Sequence, residues 1–348
     1  MMKRKASATE LEYQSPPQCG FNESGSVRRG SAFNNFEMHP SQTPAAHSNL
    51  YGDELEDVEE TPMLVKELLE NLHFELGSCL EKTNILSILK GCSPCPLEND
   101  DLMLRFLRVE RYNLQSALKR IVKHYEMKLE LFGHEKLGTR ITLDDLDHED
   151  LKTLRSGGFQ SLPSRDRDGR VVVYERFQTL TYKSPRNLFR IVWFVSMSVV
   201  EDAGHKGHIV LISFQTGPFS PDLFDRVVYK KTIHILSKLL PLKLAGFHFC
   251  FDDVRFRMVW GLATIYLGKE AKQRAVNHEG TALECRYGLM SYGINVDDLP
   301  VTVDGADDHT KLRRWVEQTH AEGQEFVPLC LNRRKDTSLC TLSAGLMR

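Results

Sequence analysis

The chain has 348 residues, 41% of them hydrophobic and 26% charged, with a net charge of −2. That is enough for one large or two smaller cored domains and lacks the basic balance that nonspecific nucleic-acid binding needs. No secretory signal is expected, because MMKRKASATE runs into polar sequence, and the longest apolar run, Leu188 to Val200, is broken by Arg190 and too short to span a bilayer. Eight cysteines scattered through apolar patterns predict free thiols in a reducing, cytosolic compartment.

Residues 1–58 read as a disordered tail of Ser, Asn, Pro, Gly and Gln clusters ending in an acidic run. Helical pattern begins at Thr61-Pro62, a start signal, and a helical lobe is expected over 59–133. Within it Asn99 caps one helix and Asn113 the next, whose face is Leu114, Ala117, Leu118, Ile121, Val122, Tyr125 and Leu129 and which stops at Gly133.

The segment 134–310 alternates strand and helix. Asp168-Gly169 turns the chain between strands Phe159–Leu162 and Val171–Arg176. Ser184-Pro185 and Ser220-Pro221 each open a helix, a hydroxyl cap followed by proline where its missing N–H costs nothing. The second helix carries Phe224, Val227, Val228, Ile235, Leu236 and Leu239 on one face. Between the two helices His208–Phe214 is a near-continuous apolar strand, and Leu244–Phe251 is another. Asp252 and Asp253 then cap a helix from Val254 to Leu267. The fold class is therefore α/β, a mostly parallel sheet with covering helices behind a small all-α lobe. Residues 311–348 hold one short helical stretch, Leu312 to Val316, and a polar tail.

No catalytic constellation emerges, and no metal or cofactor is expected. Cys92 and Cys95 have redox spacing but sit in a loop between helices, with no second pair to complete a zinc site. The histidines lie one per element, and no phosphate-binding, dinucleotide or G-x-S-x-G pattern is present. By periodicity alone, the apolar faces are ordinary core.

Two stretches carry a resemblance. Pro241, Leu242, Lys243, Leu244, Gly246, Phe247, His248 and Phe249 match the P-L-[KR]-[LV]-x-[GA]-[IF]-H-F pattern of the CRAL-TRIO lipid-binding domain. Upstream, DDLMLRFLRVERYN is similar to that family's N-terminal lobe, D-x-x-L-L-R-F-L-R-A-R-K-F-D. The likeness spans roughly residues 84 to 305 and is nearest to the α-tocopherol and retinaldehyde carriers. It departs at Ile212 to Gly217, at Cys250 to Asp253 and at Leu299 to Gly305, where the family's acidic strand end, I-N-x-P and Y-G-G are missing.

What the resemblance implies is a non-catalytic carrier that binds one hydrophobic lipid and moves it between membranes, from a cytoplasmic position peripheral to endomembranes. The rival is an interaction scaffold of the same fold. Matching positions that would line the cavity are Phe189, Val192 and Ser196 on the first helix and Val210 and Ile212 on the central strand, with Phe219 and Phe224 past the turn. Ile235, Leu236, Leu240, Leu242, Leu244 and Phe247 would form the floor, and Phe256, Val259, Trp260 and Ala263 the inner face of a movable gate helix. A cavity of several hundred Å3 would suit one such ligand. Lys243, Lys269, Lys272 and Arg274 would meet head groups or a phosphoinositide-containing membrane, joined by Arg255 and Arg257 of the gate. Glu110, Ala245 and Glu270 stand where carriers have basic residues, two of them reversing the sign, which would weaken or alter phosphoinositide selectivity.

Overall fold

The computed structural model describes residues 60–79, 84–203, 207–218, 220, 224–267 and 269–312, leaving out the side chains of Glu201 and Glu270. The expected terminal tails, the stretch beyond Leu312, Phe219, Pro221 and the Glu270 side chain lie outside the described residues.

Four helices come first: α1 (Pro62–Cys79), α2 (Asn84–Lys90), α3 (Asp100–Val109) and α4 (Leu114–Phe132). Asn99 and Asn113 cap α3 and α4, accepting from the backbone N–H of Leu102 and Ser116, and Gly133 closes α4 at φ 82°. Leu72, Leu86, Leu89, Phe106, Ile121 and Tyr125 give these helices a core of their own.

After α5 (His148–Arg155) the chain enters a five-stranded sheet in the order β1 (Phe159–Arg165), β2 (Val171–Glu175), β3 (His208–Gln215), β4 (Lys243–Phe251), β5 (Ala275–Glu279). Only β1–β2 is antiparallel, turned by Gly169 at φ 77°; the other three pairings are parallel. The crossovers are α6 (Pro185–Asp202), then α7 (Arg226–His234) with a π-helical turn Ile235–Leu239, then α8 (Phe256–Tyr266) with the short α9 (Lys269–Gln273). A sheet that grows one strand at a time in one direction puts every right-handed crossover on the same face. Accordingly α6, α7 and α8 share one core with Ile209 and Leu211 of β3 and with Phe247, Phe249 and Phe251 of β4. The opposite face is covered by α10 (Ala282–Ser291) and residues 294–301 over Val172, Tyr174, Val210, Ile212 and Cys250.

Local starts differ from expectation in two places. The helix α7 begins at Arg226, not behind Ser220, because Asp225 supplies the cap, accepting from the N–H groups of Val227 and Val228 at 2.7 and 3.2 Å. Val227 is thereby turned outward and is 75% exposed. Of the two aspartates expected to cap α8, Asp253 accepts from the backbone N–H of Arg255 at the helix start, whereas Asp252 turns away from it. Asp252 accepts from the Gly217 N–H at 2.8 Å, tying the end of β4 to that of β3, while Asp253 folds onto the backbone and guanidinium of Arg255. The strand β5 and helix α10 had no counterpart among the expected elements.

Candidate functional site

One buried apolar layer lies between β4 and the helices above it. Phe189, Val192, Ile235, Leu236, Leu240, Leu242, Leu244, Phe247, Phe256, Val259 and Ala263 all belong to it, with Phe224 and Trp260 packed partly against it. Trp260 stacks on Phe247 and Phe249 at ring distances of 6.0 and 5.7 Å, laying α8 flat on the floor. In this conformation Phe247, Val259 and Ala263 have no exposed surface. Those three side chains are enclosed by their neighbours among the described residues.

Val210 and Ile212 are not part of it. They point to the α10 side of the sheet, and Ile209 and Leu211 take the positions expected of them. A strand alternates faces at every residue, so a reading displaced by one puts the whole set on the wrong side. In β4 Leu244 and Phe247 do share a face although three residues apart. The reason is a bulge: Ile209 pairs with Leu244 and Val210 with Gly246, leaving Ala245 as the extra residue.

Polar atoms inside the layer are few and incompletely matched. The Ser196 hydroxyl on α6 is buried with no hydrogen-bond partner. At the end of β2 the Glu175 side chain is 2% exposed and its Oε2 has no partner; the Tyr229 hydroxyl on α7, in a residue 4% exposed, has none either. Both residues line a cavity of about 30 Å3 whose other walls include Phe159, Phe177, Leu188, Val192 and Phe224. Burial pushes the Glu175 carboxyl up to about 7, a hydrogen bond with Ser213 opposing it. Burial and the nearby Glu175 raise the Tyr229 phenol well above its usual value. Glu175 carried a signal in the sequence, being a lone carboxylate closing an apolar strand; Tyr229 carried none.

A larger cavity, about 410 Å3, opens between α3–α4 and α6, lined by Arg105, Tyr125, Lys128, Ile141, Trp193 and Met197 among others. Lys128 is held there by the carbonyls of Leu137 and Thr139, and burial lowers its ammonium to about 8.

The basic positions do not assemble as one display. Lys269 and Lys272 are exposed, Lys243 is half-buried and Arg274 is buried. Arg255 and Arg257 are engaged with Asp253 and Glu279. Glu110 is no bare repulsive charge, because it pairs with Arg120, whose guanidinium also donates to the carbonyls of Leu240 and Ser237. The outer side of α8 is apolar as well: Met258 and Ile265, seven residues apart on one stripe, are 48% and 69% exposed, and Val254 ahead of the helix is 56% exposed.

No family model matches the chain. Among solved structures, the crystal structure of Sfh5 superposes with a TM-score of 0.46 at 10% sequence identity, over 76% of this chain and 99% of that one.

Proposed function

We propose that this protein is a CRAL-TRIO-like carrier that takes one hydrophobic lipid under α8 and exchanges it at a membrane surface, without a catalytic step, from the cytoplasmic side of endomembranes. The observation that carries the reading is the character of α8. Its inner face (Phe256, Val259, Ala263) is buried on the aromatic floor, and its outer stripe (Met258, Ile265) is apolar and exposed. A fixed surface helix needs a polar outer face, whereas one that is apolar on both sides suits alternation between core and lipid. Swinging α8 away would turn its inner face to the bilayer and open the layer beneath. Lys269 and Lys272, exposed in the following helix, would then face anionic head groups, each contributing about 1 kcal/mol at a charged surface.

The closed packing around Phe247, Val259 and Ala263 favours a second reading, an interaction scaffold whose side chains fill their own cavity. Native mass spectrometry of protein purified from cells separates the two: a carrier retains lipid and a scaffold does not. For the gate itself, Trp260→Asp places a carboxylate against Phe247 and Phe249. Ligand transfer between vesicles should fall at least tenfold while the far-ultraviolet circular dichroism spectrum stays folded. Unchanged transfer would remove α8 from the mechanism.

A further inference from the structure

Two of the residues that line the small cavity carry unpartnered polar atoms with complementary needs. Glu175 Oε2 lacks a donor, and the Tyr229 hydroxyl lacks any partner. Leaving either unmatched in an apolar surrounding is destabilising, so a group that serves both at once is strongly favoured there. The walls are otherwise aromatic and aliphatic apart from the hydroxyls of Thr232 and the partly exposed Tyr182 and the carboxylate of Asp225, which is already committed to capping α7.

We propose, resting on the carrier reading above, that this cavity receives the hydroxyl end of a long-chain alcohol, which donates to Glu175 Oε2 and accepts from the Tyr229 hydroxyl. A hydroxyl is the smallest group that both gives and takes a hydrogen bond. It suits a space of about 30 Å3, which has no room for a glycerophosphate or sugar head. An anionic end is disfavoured, because two acids and no Lys, Arg or His line the cavity. A donor-only ammonium would serve Glu175 but leave the Tyr229 proton without an acceptor. The alkyl chain would continue past Val192 into the apolar layer under α8, where Val192 belongs to both the cavity wall and that layer. With burial holding the Glu175 carboxyl near pH 7, the alcohol has a partner in either protonation state, as donor to the carboxylate or acceptor from the acid.

The experiment offers the full-length protein equimolar hexadecanol, hexadecane, hexadecyl phosphate and hexadecylamine in the same phosphatidylcholine vesicles and reads the retained species by native mass spectrometry. Hexadecanol should be retained at least about fivefold over the hydrocarbon, the phosphate and the amine. Tyr229→Phe and Glu175→Met should each reduce that preference about fivefold or more, the far-ultraviolet circular dichroism spectrum of each variant showing that it remains folded. Hexadecane held as well as the alcohol overturns the assignment and leaves the two polar atoms to water, with the carrier reading intact. Preference for the phosphate or the amine overturns it as well. Failure to retain any of the four chains removes the carrier reading and this proposal with it.

Discussion

Four residues of β2, Val171 to Tyr174, are buried on both faces of the sheet, and the fifth is a carboxylic acid that water barely reaches. Its consequence is thermodynamic. The folded pKa of Glu175, about 7, stands above the ordinary value of 4.5, so between those two values the folded state holds the proton that the unfolded state has released. Stability from this group is present below pH 4.5 and is lost as pH rises through 7, at about 1.4 kcal/mol per pH unit. Glu175→Gln removes the ionisation. The stability of the variant relative to wild type should therefore rise from pH 5 to pH 7 by about 2 to 3 kcal/mol in urea titrations. A difference independent of pH would show that Glu175 titrates as an ordinary surface acid. That a carboxylate ends this strand was legible in the sequence; that Tyr229 faces it from α7 was not, since no local pattern links positions 54 residues apart.

At the scale of elements, α5 and α6 are joined by a buried charge. Asp150 is fully buried, accepts from the Asn187 amide at 2.9 Å and lies 2.7 Å from Arg190 Nε, while also closing the capping box with Asp147. Removing one partner of such a pair leaves the other desolvated, so Asp150→Ala should cost about 3 kcal/mol or more of unfolding free energy. A loss below about 1 kcal/mol would mean that Arg190 finds compensation from the Leu131 and Asp145 carbonyls it already engages. The elements most legible from sequence were those with one clean apolar face or run: α3, α4, α6, β3 and β4. Those that escaped lack one. The edge strand β5 (AVNHE) is only partly buried, with no apolar run to announce it. The helix α10 buries Ala282, Cys285 and Leu289, but it exposes Leu283, Tyr287 and Met290 on its other side, so its apolar residues show no single period.

Across the whole molecule, acid acts through buried imidazoles. His124 lies on α4, with Nδ1 3.1 Å from the Leu239 carbonyl of the π-helical turn and its ring 4.5 Å from that of Trp193 on α6. Burial lowers its pKa to about 3, and burial together with His278 lowers that of His248 to about 3. Groups buried neutral in this way give full stability above the ordinary value of 6.5 and lose it as pH falls. His124 and His248 alone remove about 2.8 kcal/mol per pH unit, twice what Glu175 returns between pH 6.5 and 4.5, and burial lowers His278 to about 4 in the same sense, so the histidines win. Global stability should decline steadily below pH 6.5, and more steeply in Glu175→Gln than in wild type. A chain as stable at pH 5 as at pH 7 would contradict the neutral burial of these rings.

Alternating apolar runs and amphipathic periods determined by themselves that this chain makes a small helical lobe followed by a mostly parallel sheet with crossover helices, because strands and helices are set by residues close in sequence. Tertiary structure alone decided which face each strand residue serves. The bulge at Ala245 sets Leu244 and Phe247 on one side, and pairing with β4 puts Val210 and Ile212 on the other. It also decided which charges stand free. Glu110 meets Arg120, and Arg257 meets Glu279, across contacts that depend on how elements pack. The meeting of Glu175 with Tyr229 belongs to the same class: β2 and α7 are brought together by the sheet and its crossovers, and neither segment specifies the other locally.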